Sequence, residues 1–249
     1  VLTAVLADAT GYGRILRADD GTLTGIVEDK DCTAAEREIH EINSGMYAFE
    51  AGALRSSLGS IDTANAQGEE YLTDVIGILR EQGSVVNAVI VDDPDEIRGI
   101  NDREQLAQCA AIMRDRINGA WMRSGVAIMD PASTWIDVDV DLEPDATVLP
   151  STFLRGPTFI ATGAIVGPGS TLISCEVGAR AVVRHTWAEL AVIGADASVG
   201  PFTYLRPGTH LGANAKAGSF VEIKNATIGD DSKVPHLSYV CLLYTSPSP

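Results

Sequence analysis

The chain has 249 residues, 18 of them basic and 34 acidic, for a formal net charge of −16. That length holds two domains with separate cores, and so acidic a surface excludes non-specific binding to nucleic acid or anionic membrane, while a few local cations can still bind a phosphorylated small molecule. No apolar run is long enough to span a bilayer, no signal-peptide pattern opens the chain, and the four cysteines (Cys32, Cys109, Cys175 and Cys241) are scattered, so disulfides and structural zinc are unsupported and a cytoplasmic location is expected.

Up to about residue 100, strand-like and helix-like stretches alternate. Residues 1–7, 25–28, 45–49 and 85–91 are short, β-branched or aromatic, and bounded by Gly, Asp or Asn, which predicts strands. Residues 34–39, 51–58 and 71–82 read as helices, the last with Leu72, Val75, Ile76 and Leu79 at helical spacing. Strands alternating with helices predict an α/β domain over 1–100. A longer helix then starts at Asn101 or Asp102, with Glu104 at the spacing of a capping box. Its residues Leu106, Ala110, Met113, Ile117 and Trp121 share one face, which predicts a packed linker helix over 101–124.

Beyond residue 125 the chain keeps a period of six. Leu142, Val148, Leu154, Ile160, Val166 and Leu172 are evenly spaced, and two residues before each stands Val140, Ala146, Thr152, Thr158, Ala164 or Ser170. The period slips by one to Val177, runs to Val183, and pauses over 184–192. It resumes at Ile193, Val199, Leu205, Leu211, Ala217 and Ile223, then slips to Ile228 and ends on Val234 and Val240. A helix repeats at 3.6 and a flat strand at 2, so neither yields a sustained six. A parallel β-helix does, with one aliphatic side chain turned inward per short strand and a small residue at each corner. Residues 125–240 are therefore expected to form a hexapeptide β-helix. Glycines after the aliphatic position, as in Val166-Gly167, Ile193-Gly194 and Val199-Gly200, suit turns with positive φ or close backbone.

Several stretches carry candidate chemistry, each with a plain structural alternative. Asp8-Ala-Thr-Gly11-Tyr-Gly-Arg14 places two glycines around an aromatic after a strand, which a tight turn also explains. Glu28 ends an apolar strand on a carboxylate that can accept hydrogen bonds from sugar hydroxyls or simply be solvated. Asn43 precedes a glycine, and Asn101 offers an amide oxygen that also serves as a helix N-cap. In the repeat region Arg206, Lys224 and Lys233 are scarce positive charges near corners. Three periods separate Arg206 from Lys224, about one coil, and two periods with a slip bring the chain from Lys224 to His236. A cationic pocket beside an imidazole fits acyl transfer to an amine, where the base takes a proton and the cations grip a phosphate. His40, His185 and His210 read as surface.

Together and in this order, the motifs resemble one family. It is the bacterial bifunctional N-acetylglucosamine-1-phosphate uridylyltransferase/glucosamine-1-phosphate acetyltransferase. The carrying stretches are Thr10-Gly-Tyr-Gly-Arg-Ile, Gly25-Ile-Val-Glu28, Glu41-Ile-Asn43-Ser-Gly, Asn65-Ala-Gln-Gly-Glu-Glu-Tyr-Leu-Thr-Asp74 and Gly99-Ile-Asn101-Asp-Arg. Gly200-Pro-Phe-Thr-Tyr-Leu-Arg206-Pro-Gly, Phe220-Val-Glu-Ile-Lys224 and Lys233-Val-Pro-His236-Leu-Ser-Tyr239 complete them. The resemblance implies a Rossmann-like α/β nucleotidyltransferase domain followed by a left-handed parallel β-helix. It implies that Gly11, Glu28, Asn43 and Asn101 bind UDP-N-acetylglucosamine, with Asn101 also a ligand of Mg²⁺. Arg206, Lys224 and Tyr239 bind glucosamine-1-phosphate, and His236 is the catalytic base. UTP and acetyl-CoA are the implied co-substrates and a homotrimer the implied assembly.

The resemblance also places a Gly-rich loop and a metal-binding Gly-Asp upstream of Val1, and the coenzyme A groove after Tyr239. Both ends are thus expected to be missing, residues 241–249 to be foreign to the fold, and the chain alone to lack both activities. A monofunctional nucleotidyltransferase with a β-helix tail and a non-enzymatic hexapeptide scaffold are the alternatives.

Overall fold

The computed structural model describes residues 1–100, 102–242 and the backbone of 244–245. It divides into two compact units, Val1–Cys109 and Ala110–Pro249.

The first unit holds five strands, Leu2–Val5 (β1), Arg14–Arg17 (β2), Leu23–Val27 (β3), Glu41–Asn43 (β4) and Val89–Ile90 (β5), in the order β3-β2-β4-β1-β5. Only β1 and β5 pair in parallel; the other neighbours are antiparallel. Helices Ala34–Arg37 (α1), Ala51–Leu58 (α2) and Asp74–Glu81 (α3) accompany the sheet. Thr33 caps α1 by a complete capping box with Glu36. In α3, Val75, Ile76 and Leu79 are buried, as their spacing predicts, whereas Leu72 precedes the helix and is exposed.

The sheet departs from the sequence expectation in several places, and the expected strand over 85–91 is confined to Val89–Ile90. Residues 45–49 are not a strand, and β2 and β4 are strands that the pattern did not mark. For β2 and β4 the reason is charge. β2 begins and ends on arginine, and β4 begins on Glu41, so neither reads as apolar alternation. The charges are satisfied by partners distant in sequence. Arg14, almost fully buried, pairs with Asp29 at 3.1 Å; Arg17 meets Glu41 at 2.6 Å; and Glu41 also accepts from Thr3 Oγ1 at 2.8 Å.

The helix Arg103–Arg123 (α4) is opened by Asp102, whose Oδ1 accepts from the Gln105 amide at 2.7 Å; Asn101 lies outside the described residues. Ile117 and Trp121 pack on the core of the second unit, as their face predicts. Leu106 and Met113, expected on that same face, are instead about half exposed.

The second unit is a parallel β-solenoid with three seven-stranded faces. Face 1 runs from Ala127–Ile128 to Lys233–His236, face 2 from Trp135–Ile136 to Tyr239–Cys241, and face 3 from Asp141–Leu142 to Tyr244–Thr245. The period of six is three faces per coil: Leu154 stands beside Leu172, Val148 beside Val166 and Ile160 beside Val177. These residues make one continuous buried column. The pause over 184–192 is no break. Ala188 takes the inward place on face 2, between Leu172 and Leu205, and is fully buried. A small residue in a shortened coil keeps the register but hides the period.

The corner residues behave as their chemistry requires. Thr152, Thr158 and Thr209 are buried, and their hydroxyls donate to Leu149 O, Arg155 O and Arg206 O at 2.7–2.8 Å. The glycines divide into two kinds. Gly167 and Gly200 adopt φ near +100°, while Gly194 has ordinary φ and instead lies so close to the next coil that a Cβ would sit 2.5 Å from Gly212 C.

Candidate functional site

In the first unit the site grows from the end of β3. Glu28 follows that strand, and its Oε1 accepts a hydrogen bond from Thr73 Oγ1 at 3.1 Å, just ahead of α3. Gly13 faces the same carboxylate: a Cβ there would lie 3.4 Å from Glu28 Oε2 and 3.2 Å from Ile26. Asn43, at the end of β4, donates its backbone N–H to Gly13 O at 2.8 Å, and its side-chain Oδ1 accepts from Gly45 N at 3.1 Å. Tyr47 joins them. Burial pushes its phenol up, its hydrogen bond with Asn43 opposes that, and the Glu28 charge adds to it.

Glu28 also lines a cavity of about 370 Å³ with Asp31, Asp62, Asn65, Tyr71 and Asp74. Asp31 Oδ1 accepts from Ala66 N at 2.7 Å, while its buried Oδ2 has no partner among the described residues. Burial and then the Asp62 and Asp31 charges raise the Asp74 carboxyl above its ordinary value. This wall holds neutral hydroxyls and amides more readily than phosphate.

The structure therefore brings Glu28 and Asn43 together, but not Gly11. Gly11 is a turn residue at φ +82° with open space around its Cα, and Gly13 is the glycine at the carboxylate. Thr73 and Tyr47 are the other neighbours that sequence reasoning left without a role. Thr73 stood inside a quoted motif, so its signal was present. Tyr12 lies between the two glycines, and its hydroxyl accepts from Gly99 N at 3.2 Å.

In the second unit, three candidates gather on face 2. Lys224 ends the strand Glu222–Lys224, and Arg206 follows Thr203–Leu205 on the preceding coil, its amide bonded to Ile223 O at 2.8 Å. The two cations thus occupy adjacent rungs at one edge. Glu222 Oε1 accepts from Arg206 Nη1 at 2.9 Å and holds that guanidinium further above its usual range. Arg206 also lies 5.7 Å from the Tyr204 ring centroid. Tyr239 stands directly beside Glu222 and is well exposed; a hydrogen bond with Cys241 is the main cause raising its phenol.

His236 is not on this face. It ends the last strand of face 1 opposite Ser219, and Leu237 forms the corner before face 2 resumes at Tyr239. Its imidazole is exposed and has no side-chain partner among the described residues. His185, expected to stand alone, stacks on Phe202 at 5.4 Å, and Phe202 on Phe220 at 5.3 Å, along the same corner.

No family model matches the chain. Curated relatives do, each carrying the name Bifunctional protein GlmU. The one from Kineococcus radiotolerans is 59% identical over 241 residues, covering 96% of this chain and 49% of the relative. Those from Mycolicibacterium vanbaalenii and Streptomyces avermitilis are 56% and 55% identical, again over 96% of this chain. The chain spans about half the length of the curated relatives it matches. Among solved structures, PerB from Caulobacter crescentus, in complex with CoA and GDP-perosamine, has 18% identity and a TM-score of 0.40 over 61% of this chain and 68% of that chain.

Proposed function

We propose that this chain, similar along nearly its whole length to bifunctional GlmU proteins, carries the substrate-binding parts of two consecutive transferase reactions. The first is acetyl transfer from acetyl-CoA to glucosamine-1-phosphate; the second is uridylyl transfer from UTP to the resulting N-acetylglucosamine-1-phosphate. The solenoid serves the first, as a left-handed β-helix in a cytoplasmic homotrimer. The first unit serves the second, as part of a Rossmann-like nucleotidyltransferase domain.

The observation that carries the first reaction is the pair of cations on adjacent rungs of face 2. Arg206 and Lys224 present two positive charges to one phosphate, with Arg supplying a planar fork and Lys a point charge. Glu222, already bonded to Arg206, fixes that guanidinium at the edge. Tyr239 completes the surface. His236, around the Leu237 corner, takes the proton of the substrate amine as its nitrogen forms the amide bond and the thiolate of coenzyme A leaves.

For the second reaction, Glu28 accepts from sugar hydroxyls, Asn43 supplies an amide, and the missing Cβ of Gly13 keeps the approach to the carboxylate open. The described residues assemble no group of three His, Cys, Asp or Glu that could hold a metal ion. Asn101, the one residue assigned to Mg²⁺, lies outside them, so no step is derived through the metal.

The test exchanges residues 1–240 for the matching segment of the Kineococcus radiotolerans relative and follows coenzyme A release dependent on glucosamine-1-phosphate. Release is expected at a rate near the parent's, with His236→Ala lowering kcat at nearly constant KM. Arg206→Met and Lys224→Met are expected to raise KM for the sugar phosphate. A folded exchange protein with no release, or with full kcat in His236→Ala, would overturn the proposal.

A further inference from the structure

We infer that Lys216 and Lys233 form a second anion-binding site on face 1, suited to a phosphate or pyrophosphate group. The inference is independent of the sugar-phosphate surface on face 2 and needs no turnover, although the strand that carries Lys233 ends on His236.

The chain has four lysines, Lys30, Lys216, Lys224 and Lys233, and three of them fall in the last coils described. Lys216 and Lys233 are register partners on neighbouring parallel strands, as are Ala217 and Val234 beside them. Strand alternation turns Ala217 inward, where it is fully buried, and so turns both lysines outward at the spacing of adjacent strands, about 4.8 Å. Like charges placed directly opposite one another repel and destabilise a sheet. The repulsion is not relieved within the protein. Every described ion pair uses an arginine, and among the described residues neither lysine has a carboxylate partner. Of the two acids just before Lys233, Asp230 accepts from Ala213 N on its Oδ1 at 2.8 Å, and Asp231 is an exposed corner residue.

A protein with sixteen excess negative charges has ample means to neutralise such a pair and here does not. The coils beneath carry no charge at the same outward place, which runs Ala127, Thr147, Ile165, Val182 and Ser198 before Lys216. The strands are also held close. Gly218 is buried, and a Cβ there would collide with Pro235 O, so the two coils approach tightly beside the lysines. Lysines on adjacent strands have side chains long enough to bring two ammonium groups to one tetrahedral oxyanion, each donating to a different oxygen. Binding such an anion converts the repulsion into two charge-assisted hydrogen bonds.

Isothermal titration of inorganic pyrophosphate into the chain at low ionic strength tests the site. Lys216→Gln and Lys233→Gln are each expected to weaken binding at least tenfold, and Lys30→Gln to leave it unchanged. The thermal midpoint of the two unliganded variants is expected to hold or rise, because the repulsion is removed. Absence of pyrophosphate binding, binding unchanged in both variants, or a fall in midpoint would overturn the inference. Repeating the titration with coenzyme A and with glucosamine-1-phosphate identifies the source of the phosphate. The ligand whose affinity falls in the Lys216 and Lys233 variants, while surviving Lys224→Gln, is the one that uses this site.

Discussion

The solenoid and the α/β unit are built from the same residue types but store their instructions at different ranges. In the solenoid each buried side chain packs on residues about one coil away, so the rule repeats and every coil restates it. In the α/β unit the strand order β3-β2-β4-β1-β5 joins segments far apart in sequence, and two of its strands are held by charges whose partners lie elsewhere. A local pattern therefore determines one unit and only outlines the other.

The contrast can be broken most severely in the column of aliphatics. Leu154→Ala removes a fully buried side chain with neighbours on both adjacent coils, and is expected to cost about 2–5 kcal/mol. All three tryptophans, Trp121, Trp135 and Trp187, lie in the second unit, so tryptophan fluorescence during denaturation reports that loss separately. A loss below about 1 kcal/mol would show that the column does not carry the solenoid.

Glycine substitution sharpens the comparison next. Gly194→Ala forces a Cβ against Gly212 backbone and is expected to cost about 1–3 kcal/mol by overpacking. Gly25→Ala, in β3, meets only Leu16 at 4.0 Å and is expected to be neutral or stabilising by up to about 1 kcal/mol. Amide exchange within each unit distinguishes the two, and equal effects would remove the distinction between stacked and open backbone.

Smaller effects test the charged strands. The Arg17 guanidinium and the Thr3 hydroxyl hold the Glu41 carboxyl below its ordinary value of 4.5. A depressed carboxyl contributes stability that is present above the unfolded value and lost as pH falls through the folded one. The first unit should therefore weaken on acidification below about 4.5, and Arg17→Met should flatten that part of its pH–stability curve. An unchanged slope would mean the pair contributes nothing. Least of all, Thr73→Val removes one hydrogen bond to Glu28 and is expected to cost about 0.5–1.5 kcal/mol by denaturant titration.

These differences explain what was legible beforehand. The solenoid, its inward residues and its threonine corners follow directly from the period, and only the stretch around Ala188 was hidden, because a small residue and a short coil mask the count. In the α/β unit, helix α3 was readable from its buried Val75, Ile76 and Leu79. Strands β2 and β4 were not, since Arg14, Arg17 and Glu41 look like surface until Asp29 and Thr3 are known to face them. The candidate residues divide in the same way. Arg206 and Lys224 were placed on adjacent rungs by the spacing alone. Gly11 and Gly13 are indistinguishable by composition, and only the fold shows which one meets Glu28. The Leu237 corner that separates His236 from Tyr239 was likewise invisible, because the period gives the coil but not the face.

The claim on which the account rests is that one edge of face 2 binds a sugar phosphate through Arg206 and Lys224. Its most direct test is titration of glucosamine-1-phosphate into the chain, followed through the backbone amide resonances of the last coils. Saturable shifts concentrated at Arg206, Lys224 and Tyr239, weakened at least tenfold in Arg206→Met and Lys224→Met, are the expected result. No shift at that edge, or the same affinity in both variants, would contradict the account.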